Sequence, residues 1–126
     1  MGPTLIEAAT MADHSVLCGE GRYRVWADLM EAGDDLLILI GGGECPHIGS
    51  VSLAEPGCST KTISSPGHKE RIVTTSASEM IAKATGKRCL VAAGIHIDNA
   101  SKEEIALLLA NSEACIRLLI QKVSGR

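Results

Sequence analysis

Two uninterrupted apolar runs constrain this chain more than anything else in it: Leu36 to Ile40 (LLILI) and Leu90 to Ile95 (LVAAGI). Each has the length of a strand rather than a helix and is bounded by turn residues or charges. A run without polar alternation is expected where a strand is buried on both faces, so both read as central strands of one sheet. Gly41-Gly42-Gly43 is expected to stop the first, and the second lies within a strand segment from Arg88 to Asp98.

The remaining segments fall around these two. Ser15 to Glu20 and Arg22 to Glu31 are β-like runs flanking Gly19-Glu20-Gly21; in the second, Tyr23, Val25, Ala27 and Leu29 alternate with Arg24, Asp28 and Met30, which predicts a half-buried hairpin. Val51 and Leu53, spaced two apart within Ile48 to Glu55, predict another strand, ended by Pro56. From Pro56 to Thr75 the chain is polar and turn-rich and reads as a long binding loop. Ser76-x-x-Glu79 has the form of a capping box, opening a short helix that Gly86 ends; Ser101-x-x-Glu104 is a second box. After it, Ile105, Leu108, Leu109, Ile116, Leu119, Ile120 and Val123 recur at helical spacing, with Asn111-Ser112 as a candidate break. The expected fold is α+β: a mixed, largely antiparallel five-stranded sheet with helices on one face.

A chain of 126 residues is expected to form one domain, 1–126, and to bury roughly two-thirds of its unfolded surface. Tyr23 and Trp26 are its only aromatics, so the core is aliphatic and base-stacking platforms are excluded. Twelve Lys and Arg against fifteen Asp and Glu give a net charge of −3, which lacks the basic footprint of a nucleic-acid partner. No stretch approaches the roughly 20 apolar residues of a membrane span, and neither a signal-peptide pattern nor a myristoylation motif (Ile6 stands where Ser or Thr is required) opens the chain. The expected compartment is the cytoplasm, and the five cysteines, odd in number and without a C-x-x-C pair, are expected to be reduced thiols.

Three histidines lie where predicted strands meet loops: His47 in CPHIG, His68 in SPGHKE and His96 in AGIHID. Asp98, two residues beyond His96, is expected to project to the same side. Imidazoles grouped with a carboxylate suit a transition metal or proton movement near neutral pH, yet taken alone they are as consistent with separate surface side chains. His14, in a polar segment ahead of the first strand, is expected to stand apart. His68-x-Glu70 begins a zinc-deaminase pattern, but no P-C-x-x-C follows, so that reading fails. Gly41-Gly42-Gly43 lacks the rest of a phosphate loop; what survives is an anion nest or a flat surface for a ring. Lys69 and Arg71 are candidate phosphate ligands.

The segments Leu36 to Gly49 (LLILIGGGECPHIG), Pro66 to Lys69 (PGHK) and Ala93 to Asn99 (AGIHIDN), in that order, resemble the prenylated-flavin chaperone family, small accessory proteins of decarboxylases that use prenylated flavin mononucleotide. The resemblance implies a protein that binds prenylated FMN, or FMN, made by a flavin prenyltransferase, and delivers it to a prenylated-flavin-dependent decarboxylase or helps it mature there. Gly42, Gly43, Pro46, His47, Ile48, Gly49, His68, Lys69, Arg71, Gly94 and His96 are then the candidate cofactor-binding residues. With so few aromatics to sandwich a flavin, the ring would rest on Gly, Ile and His or on a second subunit, and a homo-oligomer is expected. The competing class is a small metal-dependent enzyme in which His47, His68 and His96 ligate a divalent metal.

Overall fold

The computed structural model describes residues 12–67 and 70–124. The readings placed on Met1 to Ile6, on His68 and on Lys69 lie outside the described residues.

The chain runs β1 (His14–Cys18), a single 3₁₀ turn (Gly21–Tyr23), β2 (Val25–Ala32), β3 (Asp35–Gly43), β4 (Ser50–Ala54), β5 (Lys61–Ser64), α1 (Arg71–Thr85), β6 (Cys89–His96) and α2 (Lys102–Ser124). The strands form one sheet in the order β1-β2-β3-β6-β4-β5, antiparallel throughout except for the central β3–β6 pair. This is the expected mixed α+β architecture, with six strands rather than five. Both helices lie on the same face, α1 over β4, β5 and β6 and α2 over β1 and β2, and they touch each other. Between helices and sheet sits an aliphatic core in which Leu29, Ile38, Ile40, Val91, Ile81, Ile116 and Leu119 are fully buried. No helix among the described residues is long and apolar enough to cross a membrane.

Four expectations are corrected. First, β3 and β6 are not buried on both faces. Leu36, Ile38 and Ile40, and in register with them Cys89, Val91 and Ala93, are buried under the helices, whereas Leu37, Leu39, Leu90 and Ala92 on the other face are only half-buried. Second, the glycines do not stop β3. The strand continues through Gly43, where a backbone at φ +72 turns the chain beside the His96 carbonyl, which a side chain there would strike.

Third, residues 56–75 are not a long loop, because β5 and the start of α1 lie within them. Three of their threonines, Thr62, Thr74 and Thr75, face inward. Thr74 Oγ1 is hydrogen-bonded to Ser50 Oγ (2.9 Å) and Ser52 Oγ (2.8 Å), and Thr62 Oγ1 to Ser52 Oγ (2.6 Å) and Thr75 Oγ1 (2.7 Å), a hydroxyl layer joining α1 to β4 and β5. The helix therefore begins at Arg71 and Ser76 is internal to it; Glu79 accepts a bond from Thr60 Oγ1 instead of capping. Fourth, α2 is continuous through Asn111-Ser112, since Ser112 Oγ donates to the Leu108 carbonyl within the helix and Asn111 Nδ2 donates to the Tyr23 carbonyl. Two boundaries hold as read: Gly86 closes α1 at φ +71, and Ser101 with Glu104 forms the second capping box.

Candidate functional site

The parallel pair β3 and β6 ends at one edge of the sheet, and the segment 44–49 folds back across that end. Its course is set by backbone bonds: Glu44 N–H and Cys45 N–H donate to the His96 carbonyl, His47 N–H to Gly94 O and Gly49 N–H to Ala93 O. The His47 carbonyl occupies the space a side chain at position 94 would need, so only glycine permits this crossing. Here the C-P-H-I-G and A-G-I-H segments meet.

The crossing brings His47 and His96 together, ring centroids 6.0 Å apart and edge to face at 82°. His47 Nδ1 lies 3.1 Å from the Cys45 carbonyl oxygen and Nε2 lies 3.2 Å from Glu70 Oε1, so both ring nitrogens have a polar partner. His96 Nε2 is 2.8 Å from Asp98 Oδ1, the same-side pairing expected of these two residues. The electrostatic character is uneven. Glu70 is nearly buried at the start of α1, with its side chain 10% exposed, while the Asp98 side chain is 82% exposed. After His96 the chain turns through Asn99 at φ 53 into the capping box of α2.

Below the histidines, between α1, the end of β6 and the first half of α2, lies a cavity of about 320 Å³. Its lining is mainly apolar, with Val73, Ile95, Ile97, Leu108 and Leu109, while Glu70 and His96 supply polar groups. Gly67 and Glu70, the described residues on either side of His68 and Lys69, also line it.

The other candidate residues divide. Pro46 and Ile48 are exposed on the crossing segment and Gly49 is buried at its end; Arg71 is exposed as the first residue of α1. Gly42 is paired with Val25 and Ile95 inside the sheet, and the Gly43 N–H donates to the Arg24 carbonyl, so the glycine run closes the ladder rather than forming an anion nest. His14 is the first residue of β1 rather than part of a segment before it, at the opposite edge strand from β5. Among the described residues no three His, Cys, Asp or Glu groups are placed to hold a metal ion. Sequence reasoning named Glu70 only within a rejected motif and missed the cavity. The signal for the cavity was the surplus of apolar residues at the start of α2, where Ile105 and Leu109, which line it, each stay 41% exposed instead of joining the core.

A two-layer α+β chain with this crossing belongs to a definite class: the family profile of the prenylated flavin chaperone LpdD-like domain matches residues 19–124, and the chain belongs to that family. Among individual relatives it is similar to Protein LpdD of Lactiplantibacillus plantarum, 29% identical over 103 residues, covering 78% of this chain and 76% of that protein. In fold alone it resembles a chain in the crystal structure of a novel chaperone complex for yeast 20S proteasome assembly, with a TM-score of 0.56 at 12% identity, covering 84% of this chain and 94% of that one.

Proposed function

We propose that this chain binds prenylated FMN at the His47–His96 crossing and hands it to a decarboxylase of the prenylated-flavin-dependent class, taking it from the flavin prenyltransferase that makes it. The observation that carries the reading is the pairing of two imidazoles at 6.0 Å with an apolar cavity that His96 itself lines. Family membership supplies the cofactor, and the donor set fits it. A flavin ring with its added prenyl carbons is a flat apolar body edged with carbonyls and nitrogens, which suits aliphatic walls and imidazole N–H groups.

A cavity of about 320 Å³ lies at the lower end of the ~300–1,000 Å³ typical of small-molecule sites. It accommodates the ring end of the cofactor and leaves the ribityl phosphate outside. Arg71, exposed at the first position of α1, and Lys69 before it are the proposed phosphate partners, aided by the positive end of that helix. A carrier must also let go, and a site held open on one side by a solvent-exposed His96–Asp98 pair suits release.

The test is retention of reduced prenylated FMN, prepared enzymatically and mixed with the protein without oxygen, through a desalting column, followed by absorbance of the eluted protein. The wild-type chain is expected to carry the flavin. His47→Ala and His96→Ala each remove one hydrogen bond to a polar edge, costing about 1.5–3 kcal/mol and weakening retention roughly tenfold to a hundredfold. Equal retention by the wild type and both variants, with unchanged thermal unfolding, would overturn the placement of the site.

A further inference from the structure

The helix-free face of the sheet is the broadest surface that the proposed site leaves unused. Strand register orders it in rows. One row reads Met30, Leu37, Leu90, Leu53 and ends on Lys61 at the β5 edge; the next starts from Asp28 on β2 and ends on Ile63, with only aliphatic side chains between them. Ile63 is 79% exposed and Leu53 37%, and both helices lie on the opposite face. These rows are why the two strand-forming runs of the sequence are wholly apolar: half of their side chains face away from both helices among the described residues.

Area and charge together identify the occupant. Six strands about 4.8 Å apart, averaging about 6–7 residues at ~3.3 Å each, present a footprint of roughly 500 Å². Two copies stacked face to face would remove on the order of 1,000 Å², the threshold of a specific interface. The face carries an acid towards one side, Asp28, and a base at the other, Lys61, and neither forms an ion pair among the described residues. A two-fold axis across the strands would set Asp28 against its own copy. An axis parallel to the strands instead lays β2 over the β4 of the second copy and β1 over its β5, bringing each Asp28 towards a Lys61.

We infer that the helix-free face is a homodimer interface, two copies of this chain stacking sheet against sheet about a two-fold axis parallel to the strands, with the helices outermost. The inference is independent of the flavin site, and its test contains no flavin. Sedimentation of the full chain at micromolar concentration is expected to give twice the 13.2 kDa chain mass. Ile63→Lys alters a side chain that is already exposed in one copy, so folding is retained while the dissociation constant rises by about tenfold or more. Asp28→Lys is expected to weaken the dimer several-fold, and Asp28→Lys combined with Lys61→Asp to restore it, which tests the axis. A wild-type chain that stays monomeric up to ~100 µM overturns the inference. A dimer indifferent to both Ile63→Lys and the charge exchange overturns it equally, by placing the contact elsewhere.

Discussion

Single residues decide which groups in this chain can react. Burial pushes the Cys89 thiol up to about 12, and burial with Cys18 alongside does the same for Cys115, whose Sγ donates to the Val25 carbonyl. Cys45 and Cys58 are exposed. Iodoacetamide at pH 8 is therefore expected to label Cys45 and Cys58 in the native protein and to reach Cys89 and Cys115 only after denaturation, as peptide mass spectrometry will show. Glu104 gives a second expectation. Its carboxyl is held below the ordinary value of 4.5 by the Ser101 N–H bond first and then by the Tyr23 hydroxyl, which donates to it at 2.8 Å. A carboxyl with a depressed folded value adds stability above 4.5 and loses that contribution as the pH falls through the folded value. The gap in melting temperature between wild type and Glu104→Gln should be widest above pH 4.5 and close below it. At this scale the sequence was readable where a residue acts locally: the Ser101–Glu104 box and the His96–Asp98 pair both depend on spacings of two or three. The Glu70 contact to His47 was not readable, because it joins α1 to a crossing segment through the tertiary fold alone.

Whole elements were legible where their pattern matched the face they bury. β2, with Val25, Ala27 and Leu29 fully buried at every second position, is such a case, though it starts later than the alternation suggests. Tyr23 is drawn into the 3₁₀ turn, where its hydroxyl reaches Glu104 on α2. The first turns of α1 were illegible for the opposite reason. Ile72, Val73, Thr74 and Thr75 are four consecutive β-branched residues with poor helix propensity, and their polar members look like loop. Packing overrides propensity here: Val73 and Thr74 are buried against the sheet, and Thr74 is the hinge of the hydroxyl layer. Thr74→Val keeps the shape and removes two hydrogen bonds to Ser50 and Ser52. It should cost about 1–3 kcal/mol, read from the urea midpoint at unchanged slope. A larger loss with a changed slope would mean that α1 itself had come apart.

At the scale of the molecule, the α+β class and the sheet centre followed from two apolar runs, whereas the one-sided burial of the sheet and the crossing that brings His47 to His96 did not. Hydrophobicity records that a side chain is shielded from water somewhere; it does not record whether its own chain or another provides the shield, and Leu37, Leu39 and Leu90 read the same either way. The strand order carries one more consequence. β6 is the last strand in the chain, yet it lies between β3 and β4, which have no pairing with each other. Until residue 96 has left the ribosome, the sheet is a three-stranded meander, β1-β2-β3, and a separate β4-β5 hairpin, each with bare edges, and neither Gly94 nor His96 exists for the crossing segment to lie on. A truncation before β6 therefore leaves one chain carrying two unjoined pieces of sheet with sticky edges, and no crossing at all, rather than a weaker version of the whole.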